Sequence, residues 1–211
     1  MEKTYRINEI FYSLQGEGRN TGRAAAFIRF AGCNLRCPFC DTDFEPYDEM
    51  TLDDLIANVR SFCHPGALAV LTGGEPSLQA DERLVARLQE IGYYVTMESN
   101  GTQPAPGNID FLTLSPKTPK FNLALGSKYL KELKLVFTGK EKLEQFLDEL
   151  RTNYGDRLTT FYDELCCQSL QPCDTGDVAR NRQMLHDCIA YIQEHPQWRL
   201  SLQTHKLIGV R

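Results

Sequence analysis

Apolar residues along this chain fall into two rhythms. Short apolar runs recur at 24–30, 67–71, 93–97, 111–114, 133–137 and 165–170, each of strand length. Between several of them the apolar positions stand three and four apart. Thr51 caps a predicted helix that carries Asp53 and Asp54 in its first turn and runs to about residue 62. Leu84, Val85, Leu88 and Ile91 share one face of a helix over 81–91, which stops at Gly92. Leu143, Phe146, Leu147 and Leu150 repeat the pattern over 140–154, before Gly155. Val178, Met184, Leu185, Cys188, Ile189 and Ile192 do so over 177–195, before Pro196.

Strand followed by helix, repeated, predicts a parallel sheet with helical crossovers. Residues 99–110 are rich in Gly, Pro and Asn, and 116–131 are interrupted by Pro116, Pro119 and Gly126. Those two crossovers should be thin. The expected fold is therefore α/β: a partial, open, TIM-like barrel of about six parallel strands with fewer helices. Chemistry in such folds gathers at the carboxyl edge of the strands. No repeat, linker or low-complexity segment divides the chain, which reads as one domain over 1–211 with short capping segments at both ends.

Composition narrows the partners. The 211 residues are 42% hydrophobic and 24% charged, enough for a core and unlike a disordered chain. A net charge of −5, with no dense basic stripe, argues against nucleic acid as a partner. No run approaches the ~18 apolar residues of a membrane span. Residues 1–6 lack the apolar core of a secretory signal, so no membrane partner and a cytoplasmic location are expected. In that reducing compartment the 8 cysteines are not read as disulfides. Cys33, Cys37 and Cys40 lie close enough together to suggest metal binding.

These three follow the first strand in a C-x3-C-x2-C arrangement, Cys33-Asn34-Leu35-Arg36-Cys37-Pro38-Phe39-Cys40. A cubane cluster has four irons, so three cysteines leave one iron without a protein ligand. That iron can chelate the amino and carboxylate groups of S-adenosylmethionine (SAM), and reduction of the bound sulfonium yields a 5′-deoxyadenosyl radical. Structural zinc is the rival reading, but such sites are closed by four ligands. The nearest further candidates, Cys63 and His64, lie beyond a predicted helix. Thr72-Gly73-Gly74-Glu75-Pro76 ends the second parallel strand, where glycines let backbone groups approach a ligand. The cysteine spacing, with Phe39 before the last thiol, and this Gly-Gly-Glu-Pro element together resemble the radical SAM superfamily.

A more specific resemblance runs over essentially the whole chain. Leu14-Gln15-Gly16-Glu17, Arg29, Leu114-Ser115-Pro116-Lys117, Leu170-Gln171-Pro172-Cys173-Asp174 and the closing stretch from Trp198 to Arg211 resemble the 7-carboxy-7-deazaguanine synthase family. The resemblance implies conversion of 6-carboxy-5,6,7,8-tetrahydropterin to 7-carboxy-7-deazaguanine, with ring contraction and loss of ammonia, on the route to queuosine. It implies a 4Fe–4S cluster, SAM and Mg²⁺, a homodimer, and an electron donor such as a flavodoxin or ferredoxin.

It also implies roles for single residues. Cys33, Cys37 and Cys40 would hold the cluster, and Thr42 the Mg²⁺, although Thr42 could equally cap the turn around Asp41 and Asp43. Phe39, Cys40, Asp41, Gly74, Ser115, Pro116, Lys117, Gln171, Pro172, Cys173 and Asp174 would contact SAM. Leu14, Gln15, Gly16, Glu17, Arg29, Thr72, His205 and Arg211 would contact substrate. Gln15 and Glu17 suit a pterin's amide and amino edge, and Arg29 can clamp a carboxylate through two parallel hydrogen bonds. Glu98 resembles the acid that handles protons during ring contraction, while Ser99 and Asn100 leave a ribose-binding turn open as its alternative. The segment 200–211 would fold back over the barrel mouth, Arg211 acting through its main chain. Cys166 and Cys167, adjacent on a strand, must face opposite ways, and no spacing marks a second cluster. Two rivals remain at this stage: a radical SAM activase acting on a protein glycine, and a zinc-binding interaction protein.

Overall fold

Nine strands hydrogen-bond into one open sheet in the order β3-β1-β2-β4-β5-β6-β7-β8-β9. They are β1 (Thr4–Leu14), β2 (Ala24–Phe30), β3 (Asp48–Thr51), β4 (Leu68–Gly73), β5 (Tyr94–Ser99), β6 (Phe111–Leu114), β7 (Leu130–Phe137), β8 (Cys167–Pro172) and β9 (Trp198–Leu200). From β2 to β9 every pairing is parallel, and β1 runs antiparallel to both β2 and β3. The computed structural model describes residues 3–40, 42–62, 64, 66–122 and 129–211.

All six apolar runs are strands here. The last is displaced to Cys167–Pro172, because a short helix, Arg157–Asp163, occupies the approach to it. β3 escapes a pattern-based reading because it is a short polar edge strand, with no apolar period to detect. Helices α1 (Leu52–Phe62), α2 (Glu82–Glu90), α3 (Lys140–Tyr154), α4 (Arg157–Asp163), α5 (Val178–Glu194) and α6 (Thr204–Ile208) complete the chain. Asp81 and Asp177 cap α2 and α5 by accepting from Leu84 N and Arg180 N. Thr51 Oγ1 likewise accepts from Asp54 N at 3.2 Å at the start of α1. Among the described residues neither the β5–β6 nor the β6–β7 connection carries a helix. None of the described helices is long and apolar enough to cross a membrane.

Each parallel strand sends alternate side chains to two different surroundings. The convex row, including Ile28, Leu71, Met97, Leu112, Leu114, Leu133, Leu135 and Leu170, packs under the helices in one continuous core. Low on β2 and β4 the concave row is apolar, with Ala25, Leu68 and Val70 packing against Phe27. Toward the carboxyl edge the same row carries Arg29, Thr72, Glu98, Lys134 and Gln171, which all line one cleft.

A loop closes the seam that the open sheet leaves. Residues 15–23 form a hairpin, with Gln15 N donating to Arg23 O at 2.8 Å and Gly22 N to Gln15 O at 2.7 Å. It is fastened across the barrel by Gly18 N to Ser201 Oγ at 2.9 Å and by Arg19 N to the buried Glu132 carboxylate at 3.2 Å. Thr204 donates to Gly16 O through both its backbone N and its Oγ1, each at 2.9 Å. Gln15 and Glu17 are thereby held inside the barrel.

The carboxyl edge has its own stitch. Glu75, 1% exposed, accepts from Ser77 N at 3.0 Å and Ser99 Oγ at 2.8 Å through Oε1, and from Asn100 N at 2.7 Å through Oε2. One carboxylate therefore ties the end of β4 to the end of β5. Glu75→Ala would orphan several buried donors. A loss of ~3–5 kcal/mol of unfolding free energy is expected. Denaturant titration of the wild type and the variant checks it, and a loss below about 1 kcal/mol would contradict the buried geometry.

Candidate active site

Sequence-predicted site residues from eight segments meet in a cleft of about 700 Å³ at the carboxyl edge. Leu14, Gln15, Gly16, Glu17, Arg29, Cys33, Cys37, Phe39, Cys40, Thr42, Thr72, Gly74, Glu98, Ser115, Lys117, Gln171, Pro172, Cys173, Asp174, His205 and Arg211 all line it. Pro116 is buried and is not part of that lining, and Asp41 lies outside the described residues. Cys63 also lies outside them. Cys188 is buried in α5; Cys167 opens β8 and is buried, while Cys166 stands just before the strand and is exposed.

The cysteine loop leaves β2 and is packed directly against the Gly-Gly-Glu-Pro turn. Gly74 N donates to Phe30 O at 3.1 Å and Glu75 N to Gly32 O at 3.0 Å. A Cβ added at Gly74 would stand 2.1 Å from Gly32 O, so no other residue fits between the loop and the strand end. Asn34 fastens the loop from the other side, accepting from Asn100 Nδ2 at 3.1 Å and donating to Thr102 Oγ1 at 2.8 Å.

The three thiols share this cleft and sense one another. Burial pushes the Cys33 thiol up, and charge on Glu75 and Cys40 pushes it further. Burial also raises Cys37; Lys117 nearby pulls it down, and Cys40 and Cys33 push it up. A metal bound here would have to displace those protons, since the thiolate is the ligating form. Among the described residues no three His, Cys, Asp or Glu side chains converge as a set for one ion. Separate thiols, each serving its own iron, fit a cluster with one iron left open.

Opposite the thiols lies a charged floor. Lys134 Nζ, on β7, stands 2.6 Å from Glu17 Oε2 and 2.6 Å from Glu98 Oε2. Gln15 Nε2 donates to Glu98 Oε1 at 3.1 Å, and Gln15 Oε1 accepts from the backbone N of Glu17 at 3.1 Å. Gln203 Nε2 adds a bond to Glu17 Oε1 at 3.0 Å. Burial would raise the Glu17 carboxyl, but the Lys134 ammonium, with bonds from Gln203 and Gln171, brings it down to about 2. Burial would likewise lower Lys134, yet Glu17 and Glu98 together hold it above the usual lysine range. Lys117 donates to Ser115 Oγ at 2.7 Å; burial lowers it, and the Lys134 charge lowers it further.

The cleft's outer wall is cationic. Arg29 Nε bonds Glu9 Oε1 at 2.8 Å, with its guanidinium over the Phe11 ring. Arg211 reaches the same two residues: its guanidinium pairs with Glu9 and lies 4.8 Å from the Phe11 centroid. Ser13 Oγ donates to Arg211 O at 2.5 Å, so the backbone here is pinned as well. In α6, the His205 ring lies against Gly16, where an added Cβ would stand 2.2 Å from Nδ1. Lys206 Nζ pairs with Asp174 Oδ2 at 2.7 Å.

Lys134, Glu9, Glu75 and Gln203 are the site residues that sequence reasoning missed. Lys134 left a trace. In the strand Leu133-Lys134-Leu135-Val136-Phe137 a lysine stands on the face opposite Leu133, Leu135 and Phe137, where an exposed position would be free of the core.

Comparison with known proteins agrees with this geometry. The Radical SAM superfamily model matches residues 27–162. The 7-carboxy-7-deazaguanine synthase of Bacteroides thetaiotaomicron is 45% identical over 208 residues, covering 98% of each chain. That of Caulobacter vibrioides is 38% identical over 227 residues, covering 98% of this chain and 99% of its own. The crystal structure of QueE from Escherichia coli superposes with a TM-score of 0.72 at 28% identity, covering 94% of this chain and 93% of that one. Three clustered thiols, a glycine-tight strand end and a charged cleft thus stand in a chain that belongs to the radical SAM superfamily and, within it, to the 7-carboxy-7-deazaguanine synthase family.

Proposed function

We propose that this chain converts 6-carboxy-5,6,7,8-tetrahydropterin to 7-carboxy-7-deazaguanine, binding a 4Fe–4S cluster, SAM and Mg²⁺. The observation that carries the reading is one cleft with three thiols at one side and the Glu17–Lys134–Glu98 array at the other. When bound, the cluster and SAM supply a radical able to abstract hydrogen from the pterin. Cys33, Cys37 and Cys40 would hold the cluster. Gly74, Ser115, Lys117 and the segment 171–174 would line the SAM side, with Thr42 offering an oxygen to Mg²⁺ beside the substrate.

The chain's own residues then orient and protonate. Glu17, ionised and acceptor-only, suits the donors on a pterin's amino and amide edge. Glu9 occupies Arg29 Nε, which leaves the terminal amino groups to clamp the substrate carboxylate from a fixed direction. Glu98 takes or returns a proton as the ring contracts and ammonia leaves. His205, packed on Gly16, closes the pocket beside the Gln15–Glu17 loop. The same reading makes the enzyme a cytoplasmic homodimer reduced by a flavodoxin or ferredoxin. An activase working on a protein glycine is not favoured, since the full-length relatives are deazaguanine synthases. An anaerobic assay of carboxypterin conversion, with SAM present and absent, tests the whole reading; no product with loaded cluster would refute it.

Changing Cys33, Cys37 or Cys40 to Ala should each remove the cluster and all SAM cleavage, whereas Cys188→Ala should keep full iron content. Iron and sulfide analysis with anaerobic absorption spectra checks this.

Thr42→Ala should raise the Mg²⁺ concentration needed for half-maximal turnover, with Thr42→Ser milder and the cluster spectrum intact in both. Turnover that is indifferent to chelation of Mg²⁺ would remove the assignment.

Deleting Val210 and Arg211, or changing His205 to Ala, should raise substrate KM while leaving SAM binding unchanged. For His205→Ala the loss should be ~1–3 kcal/mol in kcat/KM. Wild-type kinetics in the truncated enzyme would make this segment a bystander.

A further inference from the structure

The cleft contains a buried amine to which the proposed function gives no task. Lys134 is anchored mid-strand in β7, paired with β8 in a register that sets it opposite Ser169. Its side chain is 4% exposed, so the ammonium has no route to solvent. Four charged groups surround it: Glu17 from the 15–23 hairpin, Glu98 from β5, Lys117 from the segment after β6, and Glu132 two residues back on its own strand. Glu132 is otherwise engaged, accepting from Arg19 N, Thr113 Oγ1 and Ser169 Oγ. Lys117 repels Lys134. Among the described residues, Glu17 and Glu98 are the groups that bond the ammonium.

We propose that Lys134 is a positioning residue: one ammonium, bonded at 2.6 Å to both Glu17 and Glu98, fixes the spacing between the carboxylate facing the substrate's amino edge and the carboxylate that moves its protons. This rests on the roles assigned above to those two carboxylates. Two carboxylates sharing a buried cleft repel each other, and without a counter-ion one must protonate or swing away. Glu17 arrives on a hairpin and Glu98 on a strand, so no backbone pairing sets the distance between them. Gln15 bonds the Glu98 carboxylate but only the backbone N of Glu17, and being neutral it can cancel neither charge. Lys134 can, and its own position is set by the sheet. A buried ion triad is a poor way to stabilise a fold, because desolvation offsets much of the attraction. Its placement in the cleft is what a requirement for charge and distance explains.

The test uses Lys134→Met and Lys134→Arg in the full, cluster-loaded enzyme, with fluorescent pterin-6-carboxylate as the binding probe. Wild-type affinity for the probe should be flat from about pH 5 to about pH 7.5, because Glu17 stays ionised throughout. Lys134→Met should lower kcat by roughly 100-fold or more. Its probe affinity should also weaken as pH falls, since burial and Glu98 then push the Glu17 carboxyl up. Lys134→Arg, restoring the charge at a shifted distance, should return the flat pH response and recover part of kcat. A Lys134→Met enzyme with a flat pH response, or with kcat within about threefold of wild type, overturns the proposal. So does a folded, iron-loaded Lys134→Arg enzyme no better than Lys134→Met. Should Lys134→Met fail to fold, a folded Lys134→Arg enzyme whose probe affinity weakens with falling pH more than that of the wild type would still overturn it. Failure of the carboxypterin reading would appear separately, as absent wild-type turnover, while probe binding still reports the hold of Lys134 on Glu17.

Discussion

Strand alternation imposes two opposite chemistries on every parallel strand of this sheet. The convex row must be apolar, because the apolar stripes of the five helices α1 to α5 lie over it. The concave row meets no second layer, so its upper half is free to carry charge. The change from one chemistry to the other takes a single residue step: Met97 packs in the core and Glu98 lines the cleft. Leu133 and Lys134 make the same change two sheet positions further on, in β7. A one-residue slip in register would exchange the two rows, putting carboxylates under the helices and leucines in the cleft. Parallel pairing from β2 to β9, with one register shift between β6 and β7, brings the strand-borne site residues to one edge.

Charge buried in this way is costly, at several kcal/mol per ion before compensation. Three buried charged groups are accordingly each met by polar partners. Glu75 is met by Ser77, Ser99 and Asn100, Glu132 by Arg19 N, Thr113 and Ser169, and Lys134 by Glu17 and Glu98. The three have different consequences. Glu75 joins two strand ends under the cysteine loop, and Glu132 fastens the hairpin that fills the seam. Lys134 alone bonds groups that face the cleft.

The segments at the two ends of the chain act on the cleft together. The 15–23 hairpin reaches the cleft floor because Ser201 and Thr204 grip it. In turn α6 rests its His205 ring on Gly16, a position where any side chain would collide with it. Arg211 departs from the expectation that its side chain is free: the guanidinium pairs with Glu9 beside Arg29, so the last residue contributes to the cationic wall through both side chain and backbone.

Local chemistry determined much of this protein directly from sequence. The apolar runs marked six parallel strands, Gly and Pro marked the two connections that carry no helix among the described residues, and three spaced thiols marked the loop after β2. Such signals are short-range: a period of two, a cap, a spacing of three or four residues. The tertiary structure alone decided which distant charges would meet. Glu17 and Lys134 are 117 residues apart and Glu9 and Arg211 are 202 apart, and no local pattern encodes either pairing. β3 and α6 were also invisible, being too short and polar to show a period, and they form because neighbours already in place offer them partners. Long-range ion pairs depend on where the sheet brings the chain back, and that is set by the packing of all its strands at once.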